Sequence, residues 1–173
     1  MNGARSWLRG ATRRRTRRLI GRLVRSNRGL TLIELLIVLA VIGILASIGL
    51  ALYYSYSYQA QVARAVADVA NISSEIKTFE AMNLRLPTSL AEVNRETFRD
   101  PWGNPYGYLD IENGGGKPRR DGKLKPINTD FDLYSMGLDG DFKEKLDSKE
   151  SLDDIVRAFD GQFIGLAETF VPW

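Results

Sequence analysis

The sequence predicts an α+β protein in which one long N-terminal helix packs by its upper half against a small antiparallel β-sheet. Three observations predict it. Leu35 to Leu52 are 18 residues without a charge, and apolar residues at helical spacing follow them without a break. No proline stands between Leu30 and Leu86. Beyond Pro87 the pattern changes to Pro, Gly and Asn turn signals separating short alternating runs.

The chain begins with a basic leader. Met1 to Gly29 hold ten Arg and no acid, whereas from Leu30 onward 14 Lys and Arg face 21 Asp and Glu, a balance of −7. The overall charge of +3 therefore belongs to the first 29 residues, and no nucleic-acid partner is expected for the remainder. At about 1.5 Å per residue, the apolar run that follows approaches the roughly 30 Å of a bilayer core. Arginines before the run and acids after it orient the leader to the cytoplasm and the remainder to the exported side. A secretory signal peptide is the competing reading. Its cleavage site would fall near Ala46-Ser47-Ile48-Gly49, a poor small-x-small site through which the periodic pattern continues.

Residues 30–52 are thus expected to be the membrane-spanning half of the helix and residues 53–86 its amphipathic half. In the latter, Tyr58, Val62, Ala65, Val69, Ile72, Ile76 and Phe79 recur at steps of three and four, with Gln61, Arg64, Asp68, Asn71 and Glu75 opposite. Arg64 and Asp68 form an i,i+4 pair. The helix is expected to end near Met82, giving a rod of roughly 80 Å. Residues 87–173 form the β-rich domain. "DPWGNPYGYLDI" reads as turns leading into a strand with Tyr106, Tyr108 and Ile111, and "DFDLYSM" as its partner, with Phe131, Leu133 and Ser135 on one face. "NGGGKPRRDGK" between them is expected to be a flexible connection, with Arg119, Arg120, Lys123 and Lys125 in solvent. "SLDDIVRAF" reads as a short helix capped by Ser151, and "QFIGLAETF" as a last strand or an ordered tail.

The chain has no Cys and no His, which excludes disulfides, thiolate or imidazole metal sites and a Ser-His-Asp triad. Carboxylate-only catalysis needs two acids on opposed walls of a cleft, and the acids here gather in a turn region. No catalytic residue is assigned, and the membrane-anchored envelope enzyme is the lesser reading. Trp102, Tyr106 and Tyr108, at alternating spacing in a small domain, are expected to pack the core and not to form a binding platform. One carboxylate needs its own explanation: Glu34 stands at the start of a lipid-spanning run, where a charge costs several kcal/mol unless it has a partner.

"RGLTLIELLIVLAVIGILA" resembles the leader junction and first helix of type IV pilin-like proteins. The resemblance implies that a prepilin peptidase cuts between Gly29 and Leu30 and that the new amino terminus of Leu30 is N-methylated. Glu34 then matches the family's glutamate as fifth residue of the mature chain, and its expected partner is the free amine of another copy's Leu30. The alternative is that Glu34 sits at the headgroup boundary and snorkels. "DPWGNPYGYL", "DLYSMGLDGD" and "SLDDI" resemble the major pseudopilin of type II secretion systems. That resemblance implies a homopolymer, a periplasmic pseudopilus that drives protein export. It also implies contacts with inner-membrane lipid, the inner-membrane assembly platform, the secretion ATPase and minor pseudopilins. A pilin or minor pilin-like subunit of another envelope filament is the alternative.

Asp139, Asp141, Asp153 and Asp154 gather around Gly137 and Gly140. An EF-hand is rejected, since its spacing would demand an oxygen ligand at Lys143 and a glycine at Glu144. The resemblance implies a calcium loop, with Asp139, Asp153 and Asp154 as side-chain ligands and the carbonyl of Met136 assisting. The local pattern equally fits a capping box of Ser151 and Asp154, with Asp153 at a helix N-terminus.

Overall fold

The computed structural model describes residues 29–172, so the expectations placed on residues 1–28 of the leader lie outside the described residues. The chain divides into two compact units, Met1–Gly43 and Ile44–Trp173. Helix α1 (Leu32–Asn83) gives its first turns to the former and the rest to the latter. Among the described residues nothing covers its uncharged run: Leu35 is 52% exposed and Leu52 53%, with apolar side chains between them similarly bare. In water such a surface would be strongly unfavourable, at about 25 cal/mol per Å² of apolar area. The amphipathic part behaves as its spacing dictates. Ala65, Val69, Ile72 and Ile76 are completely buried, Val62 and Val66 flank them, and Arg64 meets Asp68 at 3.7 Å.

Four strands, β1 (Gly107–Asp110), β2 (Phe131–Ser135), β3 (Ile155–Ala158) and β4 (Phe163–Leu166), pair antiparallel in the order of the chain. Tyr108 lies opposite Leu133 and Tyr134 opposite Val156. Alternation assigns the sheet its two faces. Phe131, Leu133 and Ile155 join the buried residues of α1, Leu86, Leu90 and Tyr106 in one core, against which Trp102 and Tyr108 pack. These aromatics are core residues, as expected. Val156 and Ala158 join Ile127, Leu146 and Ala167 in a second core, covered by Tyr134, Phe159, Phe163 and Phe170.

Two expectations fail. "SLDDIVRAF" is not a helix: Ile155–Ala158 is a strand, all four residues of which are buried. A strand covered on both faces carries no period-2 signature, so its continuous run imitates a buried helix. Ser151 accordingly caps nothing; it is buried and its Oγ accepts from the amide of Lys143 and donates to the carbonyl of Lys143. Arg119 is not in solvent. It is 2% exposed and Arg120 is half-buried, while Lys123 and Lys125 are exposed as expected.

Gly107 shows how tightly the sheet is packed. A Cβ placed there would lie 2.3 Å from the Tyr134 ring, its neighbour across β1 and β2. Gly107→Ala is therefore expected to lower stability by about 1–3 kcal/mol through overpacking, read as a lower denaturation midpoint with unchanged slope.

Candidate functional site

At the start of α1, Thr31 occupies the N-cap and Glu34 the third helical position. The Thr31 amide and hydroxyl each donate to Glu34 Oε2 at 2.8 Å, and the Glu34 amide donates back to Thr31 Oγ1 at 3.3 Å. This is a capping box: two orphan donors of the helix end and one carboxylate satisfy one another. The expectations from sequence give Thr31 no role, although Thr-x-x-Glu ahead of an apolar run is the signature of that box. The box answers part of the question Glu34 raises, since the carboxylate has partners within its own chain. Next to it, Gly29 and Leu30 are exposed, and a Cβ built on Gly29 meets nothing within 4 Å.

The acidic segment connects β2 to β3. The "DPWGNP" turn buttresses its beginning: Asp100 Oδ1 accepts from the amides of Trp102 (3.0 Å) and Asn104 (2.8 Å), Ser135 Oγ donates to Asp100 Oδ2 at 2.6 Å, and Asn104 Nδ2 donates to the carbonyl of Gly137 at 2.9 Å. Gly137 has φ of 63°, and a Cβ there would come within 2.5 Å of the Asp153 carbonyl, so only glycine fits this close approach.

Of the acids named from sequence, Asp139, Asp153 and Asp154 accept bonds within the chain. Asp153 Oδ2 accepts from the amides of Leu138 (2.8 Å) and Asp139 (3.2 Å). Asp139 Oδ1 accepts from the amide of Asp141 at 2.9 Å, and the carbonyl of Met136 accepts from the amide of Gly140 at 3.2 Å. Asp154 is completely buried, and its Oδ2 lies 2.5 Å from Arg119 Nη2. Burial pushes the Asp154 carboxyl up to about 7, with the Arg119 charge pulling against that rise. Among the described residues no three acidic side chains come together in a group that could hold a metal ion. The capping box expected of Ser151 and Asp154 is replaced by this ion pair, because no helix begins there.

Residues 24–50 match the family model described as a prokaryotic N-terminal methylation motif. The chain is 30% identical over 138 residues to type II secretion system core protein G of Aeromonas hydrophila, an alignment covering 68% of this chain and 87% of that protein. It is 31% identical over 137 residues to the protein of the same name from Pseudomonas aeruginosa, covering 67% of this chain and 87% of the relative. A fimbrial protein of Pseudomonas aeruginosa is 45% identical, but over 51 residues, 30% of this chain and 33% of that one. No solved structure matches the chain.

Proposed function

The chain belongs to the family of type II secretion system core protein G, and from that premise we propose that it is a structural, non-catalytic subunit that polymerises into a periplasmic pseudopilus driving protein export. The bare apolar part of α1 carries the reading: Leu32 to Leu52 have no cover among the described residues, so they require lipid before assembly and other copies after it. The single span lies in the inner membrane with the β-rich domain in the periplasm. Tyr53, Tyr54 and Tyr56, all more than 60% exposed at the end of the span, suit the membrane–water boundary. The fimbrial protein of Pseudomonas aeruginosa aligns over 51 residues and that of Neisseria meningitidis over 88, against 138 for core protein G of Aeromonas hydrophila, which favours the pseudopilus reading.

A prepilin peptidase removes residues 1–29 and the Leu30 amine is methylated. The assembly platform, the secretion ATPase and minor pseudopilins then act on the membrane-stored subunit. Because a Cβ at Gly29 meets nothing within 4 Å among the described residues, replacing it tests the peptidase and not the fold. Gly29→Phe is expected to leave nearly all of the protein as a precursor 29 residues longer on gels and in mass spectra. N-terminal sequencing of the membrane-extracted wild type at any residue other than Leu30 would refute the cleavage site.

Polymerisation itself is tested by chemical crosslinking in membranes that also hold the secretion machinery. A regular ladder of multiples is expected. Monomer alone, at subunit levels matching the assembled state, would sink the filament reading and leave a membrane-anchored monomer.

A further inference from the structure

We propose that the guanidinium of Arg119 is the built-in cation of the acidic turn between β2 and β3, standing where the family resemblance implies calcium, so that this domain holds its shape without a metal. The inference goes beyond the filament role and does not depend on it.

Each of the four ligands that the resemblance implies already accepts a bond within the chain. A calcium ion takes six to eight oxygens, with carboxylates contributing most of the charge. Here Asp153 is a clamp on the amides of Leu138 and Asp139, and Asp139 and the Met136 carbonyl close turns with Asp141 and Gly140. Asp154, the deepest of the acids, has a cation beside it already. Among the described residues, Asp154 Oδ1, Arg119 Nε and Arg119 Nη1 of this buried pair lack a protein partner, so a metal reaching the Asp154 carboxylate would face the positive charge of Arg119.

Arg119 is held as a fixed part of the fold. Its amide donates to Asp132 Oδ2 at 2.6 Å and its carbonyl accepts from the amide of Ile127 at 3.1 Å. Its guanidinium carbon lies 4.5 Å from the centre of the Tyr134 ring and 5.6 Å from that of Phe142. The rings are themselves packed together, with centroids 5.0 Å apart. A planar, weakly hydrated guanidinium stacks on such faces, whereas a divalent ion or a lysine ammonium would not. Tyr134 in turn lies against Gly107, where any side chain would collide with it. The slot therefore spans β1, β2 and the acidic turn, and is shaped for arginine. A buried carboxylate needs a neutralising partner, and a covalently attached one is present at every calcium concentration.

The test uses the full chain extracted in a mild detergent, with thermal unfolding followed by near-ultraviolet circular dichroism in calcium chloride, in magnesium chloride and in EGTA. The wild type is expected to melt at the same temperature in all three, and to retain no molar equivalent of calcium in equilibrium dialysis. A metal bound at a hundred times its Kd would instead raise the midpoint by several degrees, roughly 5–10 °C. Arg119→Ala is expected to lower the midpoint by on the order of 10 °C, because it leaves Asp154 buried without a cation. Arg119→Lys, which keeps the charge and loses the stacking, is expected to recover only part of that loss. A calcium-specific rise in the wild type that disappears in Asp154→Asn overturns the proposal, as does an Arg119→Ala variant that melts like the wild type. If Arg119→Ala does not accumulate, the wild-type comparison alone decides.

Discussion

Glu34→Gln is expected to enter the membrane at normal levels, to be processed, and to yield at least tenfold fewer filaments. The capping box makes this substitution informative. Glutamine can still accept from the Thr31 amide and hydroxyl that now bond Glu34 Oε2, so the helix start survives while the charge is lost. Glu34→Ala removes both, and the lost cap costs about 1 kcal/mol at an exposed helix end. No Lys or Arg follows Glu34 before Arg64, so the cation we propose for it in a polymer is the amine of a neighbouring Leu30. A hydrogen bond to a charged group contributes about 1.5–3 kcal/mol, which is roughly a ten- to hundredfold change in association at each interface. Filament recovery after overexpression, normalised to membrane subunit, reads the effect. If Gln assembles like the wild type and only Ala fails, Glu34 acts as a cap and the intersubunit pair is wrong.

Arg157→Met is expected to be the most destabilising single change in the β-rich domain. Arg157 is 1% exposed at the centre of β3. Its Nε donates to Ser73 Oγ of α1 at 3.0 Å, Nη1 to Asp130 Oδ1 (2.8 Å) and the Phe131 carbonyl (3.0 Å), and Nη2 to Asp130 Oδ2 at 2.8 Å. The guanidinium also covers the Phe131 ring at 3.9 Å. One side chain thus ties the helix to β3 and to the start of β2. Removing one member of a buried pair costs about 3–5 kcal/mol, against a typical total stability of about 5–15. Lys77 meets the same Asp130 at 2.9 Å from a 44% exposed position, so Lys77→Met should cost less than about 1 kcal/mol. Urea unfolding of the two variants checks the contrast, and equal midpoints would refute it.

The same network sets an acid limb. Burial alone would push the Asp130 carboxyl up, but the bonds from Arg157, Lys77 and the Phe131 amide hold it well below its ordinary value. A carboxyl lowered in the folded state contributes stability above its unfolded value of about 4, lost as pH falls toward the lower folded value. Arg157→Met should flatten that part of the stability profile.

Much of this fold is written in short-range pattern. The charge-free run, the step of three and four through Ile76, the absence of proline before Pro87 and the Gly-Leu-Thr junction need only residues within a turn or two of one another. They specify the helix, its bare and amphipathic parts and the processing signature. The first two strands were legible for the same reason, because alternation and turn residues are local, whereas the segment of β4 read equally as a strand or an ordered tail. The Thr31–Glu34 box was equally legible, three residues apart. Only the tertiary structure decided β3, Arg119 and Arg157. Ile155–Ala158 is a strand because β2 and β4 supply its hydrogen-bond partners and two cores cover its faces, a fact absent from its own four residues. Arg119 lies in a stretch whose composition reads as solvated loop, and its partner Asp154 is 35 residues away; Arg157 and Asp130 are 27 apart. Whether an arginine is a solvated charge or a buried cation depends on which carboxylate and which rings the chain brings to it, and that meeting is made only when the sheet closes.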